Sequence, residues 1–249
     1  MMSSRINFIK PELLNDESIS SWFTLRNQES VHPENAIPGL NLGLNTAEKT
    51  SAVLTNRQLL LAEIGLEENR IAYGVQVHET NIKEVTVGGV YEDTDGFVTT
   101  EKGLALAIQV ADCAAVLLGD SENKVIGAAH AGWRGAVADI VPKTIRKMKN
   151  LGAESKHINA FVSPCISQQN FEVGEEVAAE FPDQFIDRTN YAKLHVNLKR
   201  FIEQQLLNEG ISQAHIEIND SCTIADESFY SYRRQKDKSG RMMGIIKLN

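Results

Sequence analysis

The chain has 249 residues, of which 42% are hydrophobic and 23% are charged, and this composition is typical of one soluble globular domain. Its formal net charge of −8 argues against nucleic acid or an anionic membrane as the main partner, because both attract basic surfaces. No apolar run approaches the roughly 18 residues of a membrane-spanning helix. The first residues also lack the apolar segment of a signal peptide. Together with three widely spaced cysteines, which we expect to be reduced, these features predict a cytoplasmic protein.

Hydrophobic periodicity and turn residues predict the secondary structure in chain order. An early loop covers residues 27–40 and contains Pro33 and Pro38, and a turn-rich segment follows at 41–46. Helices are predicted at residues 49–64, which Gly65 would end, and at 136–150, 175–181 and 197–208. Strands are predicted at residues 71–78, 82–87, 104–110, 125–129, 159–162, 215–218, 229–232 and 243–248. Because helices and strands mix without strict alternation, we expect a single domain of the α+β class with layered, mixed sheets.

Three metal-ligand side chains each follow an apolar segment with the character of a strand. His130 lies in AAHAGWRG (128–135), His78 ends YGVQVH (73–78), and Cys113 ends IQVADC (108–113). Strand ends on the same side of one sheet can meet, and His, Cys and His then form a good zinc set. Three ligands leave the fourth position for water or substrate, as in catalytic zinc sites. Asp112 would orient a histidine ring or position a water molecule.

The same residues also fit nucleophilic catalysis by a cysteine. Cys113 would then be the thiolate and His130 or His78 its base, and the sequence does not separate this interpretation from the zinc site. Phosphate chemistry would need cationic donors, for which the chain offers Arg26, Arg57, Arg134, Arg233 and Arg241. The chain has no Rossmann glycine fingerprint and no Walker A segment, so nicotinamide and ATP cofactors have no support.

At this level of detail the chain resembles the laccase-domain family, which was long labelled polyphenol oxidoreductase and is now regarded as a purine nucleoside phosphorylase family. The resemblance covers about residues 26–246. It rests on the ordered segments NLG (41–43), NR (56–57), QVH (76–78), ADC (111–113), AHAGWRG (129–135), PCI (164–166), FEVG (171–174), CT (222–223), FYSYRR (229–234) and GR (240–241). The chain departs from the family's pattern at residues 27–30, Glu79 and Ser163.

The resemblance implies one catalytic domain over residues 1–249, with an α/β/β/α layered fold similar to that of a bacterial toxin deamidase that uses Cys and His. It implies Zn²⁺ on His78, Cys113 and His130, phosphorolysis of adenosine, inosine, guanosine and methylthioadenosine, and deamination of adenosine. The expected partners are therefore a nucleoside and phosphate, with the chain a monomer or a homodimer. The residues expected to act in catalysis are Cys113, His130 and Asp112. Those expected to bind substrate or phosphate are Arg57, Arg26, Asn41, Gln76 and Arg233.

Three other functions remain for comparison. Copper chemistry of the laccase type needs a histidine-rich ligand set, which six histidines without a His-x-His pair do not supply. An amidase or hydrolase that edits a peptidoglycan precursor (UDP-MurNAc-amino acid) would use the same Cys, His and zinc. A non-catalytic, zinc-stabilised module is disfavoured by the open coordination position and by the nearby Asp112, Trp133 and Arg134. We expect Trp133 and Arg134 to brace the loop that holds His130.

Overall fold

Two six-stranded β-sheets pack face to face at the centre of the molecule. The structure is a computed structural model that describes residues 6–27 and 35–249. His32, Pro33 and most of the segment 27–30 therefore lie outside the described residues. No helix in the described ranges is long and apolar enough to cross a membrane.

The strands follow the chain from Phe8 to Leu248. They are β1 (Phe8–Ile9), β2 (Ile19–Thr24), β3 (Ile71–Gly74), β4 (Ile82–Glu84), β5 (Gly89–Tyr91), β6 (Gly96–Thr99), β7 (Ala105–Val110), β8 (Ala114–Asp120), β9 (Val125–Ala131), β10 (Ile158–Val162), β11 (Glu172–Val173), β12 (Ile186–Asp187), β13 (Leu194–Val196), β14 (Ile216–Ile218) and β15 (Met242–Leu248). The first sheet has the order β1-β2-β15-β7-β3-β5 and the second β14-β10-β8-β9-β6-β4, while β11-β13-β12 form a small third sheet. Both large sheets are mixed: β3 pairs parallel with β7, for example, and β8 pairs antiparallel with β9.

Helices cover the outer faces of both large sheets. They are α1 (Thr50–Ile64), α2 (Trp133–Val137), α3 (Ile140–Asn150), α4 (Glu175–Ala178), α5 (Leu198–Asn208) and α6 (Tyr232–Gln235). Leu60 and Leu61 of α1 pack on the first sheet, and α3 and α5 bury Met148 and Leu206 against the second sheet. The inner faces of the two sheets form a core of their own, which includes Phe23 and Phe161. The predicted single α+β domain with mixed sheets is confirmed, and its layers run α/β/β/α.

Several predicted elements agree closely with the structure. The helix predicted at 49–64 is α1, and Gly65 ends it in the left-handed conformation with φ of 64°. The helix predicted at 197–208 is α5, and the Asn197 side chain caps it by accepting a hydrogen bond from the Arg200 N–H. The strands predicted at 104–110 and 243–248 are β7 and β15. The two helices have explicit end signals in the sequence, Gly65 after α1 and Gly210 after α5, and the two strands are continuous apolar runs.

Other predicted elements differ from the structure. The helix predicted at 136–150 is two helices, α2 and α3, because Asp139 takes a left-handed φ of 64° between them. The strand predicted at 71–78 ends at Gly74, so His78 lies beyond β3 in a turn. The strand predicted at 229–232 is wrong: the segment joins no sheet ladder, and α6 begins at Tyr232. Eight strands lie outside every predicted range, namely β1, β2, β5, β6, β8, β11, β12 and β13.

Candidate metal centre

His78, Cys113 and His130 meet at one point of the structure. Their ligand atoms all lie within 4.8 Å of one another, and the two imidazole rings meet edge to face with centroids 4.8 Å apart. His78 and Cys113 follow β3 and β7 of the first sheet, whereas His130 lies within β9 of the second. The expectation that the three strands share one sheet is therefore wrong, and the cluster forms where the two packed sheets meet.

Asp95 joins the two histidine segments. Its buried carboxylate lies 2.8 Å from His130 Nδ1 and accepts hydrogen bonds from the backbone N–H groups of Val77, His78 and Glu79 at 3.0, 3.0 and 3.1 Å. Its backbone carbonyl accepts from the His130 N–H at 2.8 Å. Burial raises the pKa of Asp95, but the bonds from His130 and from the backbone outweigh burial and hold this pKa below its usual value. The carboxylate thus stays ionised, fixes the His130 ring and leaves its Nε2 for a metal.

Cys113 and His130 each stabilise the charged form of the other. Burial raises the pKa of the Cys113 thiol, but the neighbouring His130 and His78 reverse this effect and lower it. Burial likewise lowers the pKa of His130, but Cys113 and Asp95 raise it above its usual value. Without a metal the pair therefore favours a thiolate beside an imidazolium. A bound divalent cation would take the place of the proton on that imidazole.

Because Gly132 has no side chain, it leaves room for the cluster. A Cβ at this position would lie 2.8 Å from Cys113 Sγ and 3.7 Å from His78 Cδ2. A larger residue would thus push the thiol away from the two rings. The clearance at Gly132, the histidine held by a carboxylate and the N and S donor set together fit a metal ion bound by three side chains.

The cluster lies on the wall of a cavity of about 990 Å³. This volume lies at the upper end of the range for small-molecule sites. Besides the cluster, Arg57, Tyr73, Trp133, Tyr232 and Arg241 line the cavity. Trp133 also stacks with Arg134, whose guanidinium lies 4.2 Å from the indole centroid, and Arg134 lines the same wall. The pair therefore lies within reach of a ligand as well as beside the His130 loop.

Arg57 is a buried cation on the cavity wall. Its Nε donates to the Leu42 carbonyl at 3.0 Å, its Nη2 donates to Gln109 Oε1 at 3.3 Å, and the guanidinium lies 4.4 Å above the Tyr73 ring. Within residues 6–27 and 35–249, no carboxylate lies within 4.0 Å of this side chain, which is only 6% exposed. Burial lowers the pKa of Arg57. A buried positive charge with neutral partners favours an anionic ligand.

Asp112 and Arg233 meet on the wall of the same cavity. Asp112 has a left-handed φ of 79°, and its carboxylate accepts from the Thr223 hydroxyl and from the Arg233 N–H, both at 2.7 Å. Arg233 donates through Nη1 to the Glu172 carbonyl at 2.7 Å. Both residues line the cavity, and Asp112 holds the first turn of α6 against it.

The other predicted substrate ligands are placed differently. Gln76 lines the cavity, but its amide is bound to the backbone of Gln109, with Nε2 donating to O at 2.9 Å and Oε1 accepting from N at 2.8 Å. Asn41 is fully buried outside the cavity lining and accepts from the N–H groups of Gly43 and Arg241. Arg26 also lies outside the lining, and its Nε donates to the Pro38 carbonyl.

Sequence reasoning missed Asp95, the residue that orders the centre. Its segment, Thr94-Asp95-Gly96, has the character of an ordinary turn. Its partners lie 17 and 35 residues away along the chain, so no local spacing points to it. Tyr73 was also missed, because an aromatic residue in an apolar strand is normally part of the core.

We predict that Asp95→Asn weakens the binding of a divalent metal ion, with Zn²⁺ as the probe, by about 10- to 100-fold, because the His130 ring loses the carboxylate that orients it. Competition with a chromophoric zinc chelator measures this affinity. Asp93→Asn is the matched control, since Asp93 is exposed in the same segment. Equal zinc affinity of the two folded variants would contradict the role of Asp95.

Residues 20–249 match the model of a family described as multi-copper polyphenol oxidoreductase laccase. A purine nucleoside phosphorylase of Corynebacterium glutamicum is 38% identical over 214 residues, which are 83% of this chain and 85% of that protein. A purine nucleoside phosphorylase of Deinococcus radiodurans is 37% identical over 84% of this chain and 82% of that protein.

Solved structures show the same fold. The hypothetical protein YfiH of Bacillus licheniformis is 26% identical with a TM-score of 0.85, over 97% of this chain and 99% of that one. A Neisseria meningitidis protein is 28% identical with a TM-score of 0.86, over 98% and 99% of the two chains. The family-model match covers most of the chain, and the relatives exceed 30% identity over four-fifths of it. The chain therefore belongs to the laccase-domain family whose curated relatives include purine nucleoside phosphorylases.

Proposed function

We propose that the protein is a zinc-dependent purine nucleoside phosphorylase, formed by one catalytic domain over residues 1–249 and acting in the cytoplasm. One observation carries the proposal: a three-ligand His–Cys–His cluster and a buried arginine, which has no carboxylate partner among the described residues, line the same cavity. A nucleoside and a phosphate ion both fit within about 990 Å³. The names of the curated relatives support this reaction over others that would use the same groups.

The donor set supports zinc as the metal. Two imidazoles and a thiolate suit Zn²⁺, and three protein ligands are the number found in catalytic zinc sites. His78, Cys113 and His130 would hold the ion, and bound zinc supplies a Lewis acid beside the substrate. We also propose that the fold is similar to that of a toxin deamidase that uses Cys and His. A thiol and an imidazole that lie together on the cavity wall support this similarity.

Three residues on the cavity wall bind different parts of the two substrates. Arg57 binds phosphate, because its buried charge favours an anion and its guanidinium is already fixed by Leu42 and Gln109. The exposed Tyr232 ring on the cavity edge offers a surface on which a purine can stack. Asp112 orients the nucleoside, since each of its carboxylate oxygens accepts one protein hydrogen bond and keeps a further acceptor site. Holding phosphate and nucleoside in one cavity accelerates their reaction by proximity.

Deamination of adenosine is a second candidate activity of this site. The observation in its favour is that the cluster has three ligands and borders a cavity, so one metal position faces the bound substrate. A water molecule and the purine carbon that carries the amino group would meet there.

Incubation of zinc-loaded protein with adenosine, with and without phosphate, tests the proposal. We expect adenine and ribose 1-phosphate only when phosphate is present, and inosine in its absence if the deaminase activity is real. Removal of zinc by a chelator should abolish both activities, and added zinc should restore them. Absence of both products together with release of an amino acid from a UDP-MurNAc-amino acid would favour the amidase function instead.

We predict that Arg57→Ala raises the KM for phosphate by about 100-fold, because it removes hydrogen bonds from a charged, buried donor. Steady-state kinetics at saturating nucleoside measure this change, and zinc content should remain that of the unmodified protein. Arg146→Ala is the control, since Arg146 is 61% exposed and pairs with Glu209 on the surface. An unchanged phosphate dependence in Arg57→Ala would exclude Arg57 as the phosphate ligand.

A further inference from the structure

Arg241 is a second cation on the cavity wall, and one edge of its guanidinium is free. Its Nη1 donates to the backbone carbonyls of Ser239 and Gly240, both at 3.0 Å. Its Nε and Nη2 make no hydrogen bond within the described part of the chain, although the residue is half-buried and lines the cavity. Nε and Nη2 together form an edge that can donate two parallel hydrogen bonds to an oxyanion. The guanidinium is thus fixed through one nitrogen, while this edge remains for a ligand.

The free edge of Arg241 is open to the cavity. In the described ranges, the fully buried side-chain atoms that lack a hydrogen-bond partner are Asn56 Oδ1, Tyr73 Oη, Gln205 Oε1 and His215 Nδ1. Nε and Nη2 of Arg241 also lack a partner but are not among these buried atoms, so both nitrogens keep accessible surface. Because the residue lines the cavity, an anion bound there can reach them.

The charge of Arg241 has no carboxylate to compensate it. Within residues 6–27 and 35–249, no carboxylate lies within 4.0 Å of its guanidinium, and its acceptors are neutral carbonyl oxygens. The wall carries three further cations besides Arg57, and these are exposed, so that water screens their charges: Arg134, Arg233 and Lys236. Among the described residues of the wall, Arg57 and Arg241 are therefore the two cations that are shielded from water.

One short segment of backbone brings Arg241 and Arg57 to the same wall. The Leu42 carbonyl accepts from Arg57 Nε at 3.0 Å, and the Leu42 N–H donates to the Arg241 carbonyl at 3.2 Å. The Arg241 side chain lies across Gly43, where an added Cβ would be 2.4 Å from Arg241 Cγ. Asn41 fixes this arrangement, since its Oδ1 accepts from the N–H groups of Gly43 and Arg241, both at 3.0 Å. The two arginines therefore contact adjacent residues of one segment.

We propose that Arg241 is a second phosphate ligand, whose Nε and Nη2 donate hydrogen bonds to the inorganic phosphate ion that Arg57 binds. This inference rests on the proposed phosphorylase function and adds a residue to its phosphate site. Phosphate carries more than one negative charge at neutral pH, so two guanidinium groups match its charge better than one. A neutral nucleoside in the same place would leave both shielded charges without compensation. No bond is broken at Arg241, so it acts in binding and not in the transfer of a proton.

The variant Arg241→Met tests this inference because it removes the guanidinium and keeps an unbranched chain across Gly43. We expect the KM for phosphate to rise about 10- to 100-fold, as for the loss of hydrogen bonds to a charged group. Arg241→Lys keeps the charge without the two-nitrogen edge and should recover only part of this loss. The KM for the nucleoside should change by less than about twofold. The control is Arg188→Met, since Arg188 is 44% exposed and pairs with Asp183 and Glu175 outside the cavity lining.

Titration calorimetry with inorganic phosphate gives a second measurement that does not depend on turnover. Arg241→Met should bind phosphate about 10- to 100-fold more weakly than Arg188→Met. Gly43→Ala should also weaken phosphate binding, because its Cβ would displace the Arg241 side chain, and residue 43 does not need a left-handed backbone. Equal phosphate affinities of Arg241→Met and Arg188→Met, or an unchanged KM for phosphate in Arg241→Met, would overturn the inference.

The unmodified protein separates this result from the proposed function. If it forms ribose 1-phosphate and Arg241→Met has an unchanged KM for phosphate, the role of Arg241 fails while the phosphorylase function stands. If it forms no ribose 1-phosphate, the proposed function fails. The calorimetric comparison then still decides whether Arg241 binds phosphate.

Discussion

The hydrogen bonds of the Asp95 carboxylate are the interaction on which the rest of the centre depends. This one side chain holds the His130 ring, the turn at Val77–Glu79 that carries His78, and thereby the two sheets at their meeting point. A buried carboxylate is stable there because four donors from two segments surround it. Its negative charge also balances a positive histidine in the metal-free protein. Without this carboxylate, both histidines would remain in the sequence, but their imidazole rings would no longer be held in a fixed orientation.

The layered fold provides the geometry that this carboxylate uses. The strand ends of β3 and β7 come from one sheet and β9 from the other, so the cluster lies where the two layers touch. Gly132 keeps that junction open for the Cys113 thiol. The cavity lining also includes Arg57 of α1 and Tyr73 of β3. The candidate metal ligands and the buried Arg57 cation therefore line one cavity, although Arg57 belongs to a helix and the ligands belong to segments of the two sheets.

The metal-ligand residues of the centre could be predicted from the sequence, whereas the residues that surround and orient them could not. His78, Cys113 and His130 were recognisable because each follows an apolar run and all three are metal-ligand types. Asp95 was not, since its turn-like segment contacts residues 17 and 35 positions away. Gln76 has a side chain of a type that binds substrates. In the fold, however, its amide is bound to the backbone N–H and carbonyl of Gln109, and the sequence gives no sign of this contact. Local pattern predicts which residues can react, whereas long-range hydrogen bonding decides which of them are available.

The same distinction explains the errors in secondary structure. The segment 229–232 has strong strand propensity, yet Tyr230 N–H bonds to Met242 Sδ and no ladder forms. The break between α2 and α3 falls at Asp139, and Pro142 marks it in the sequence, because proline is tolerated in the first turn of a helix but not in its interior. The strand β8 was missed because its continuous apolar run lacks the alternation that distinguishes a strand from a buried helix. For the segment 229–232, the long-range contact with Met242 decided the outcome.

We propose that one cavity holds both a metal ion, bound by His78, Cys113 and His130, and a phosphate ion, bound by Arg57. Diffraction at the zinc absorption edge from crystals grown with zinc and phosphate tests it most directly. We expect one anomalous peak about 2.0–2.3 Å from the ligand atoms of His78, Cys113 and His130. We also expect a separate phosphate within hydrogen-bond distance of Arg57. A peak elsewhere, or a cavity in which phosphate does not contact Arg57, would contradict it.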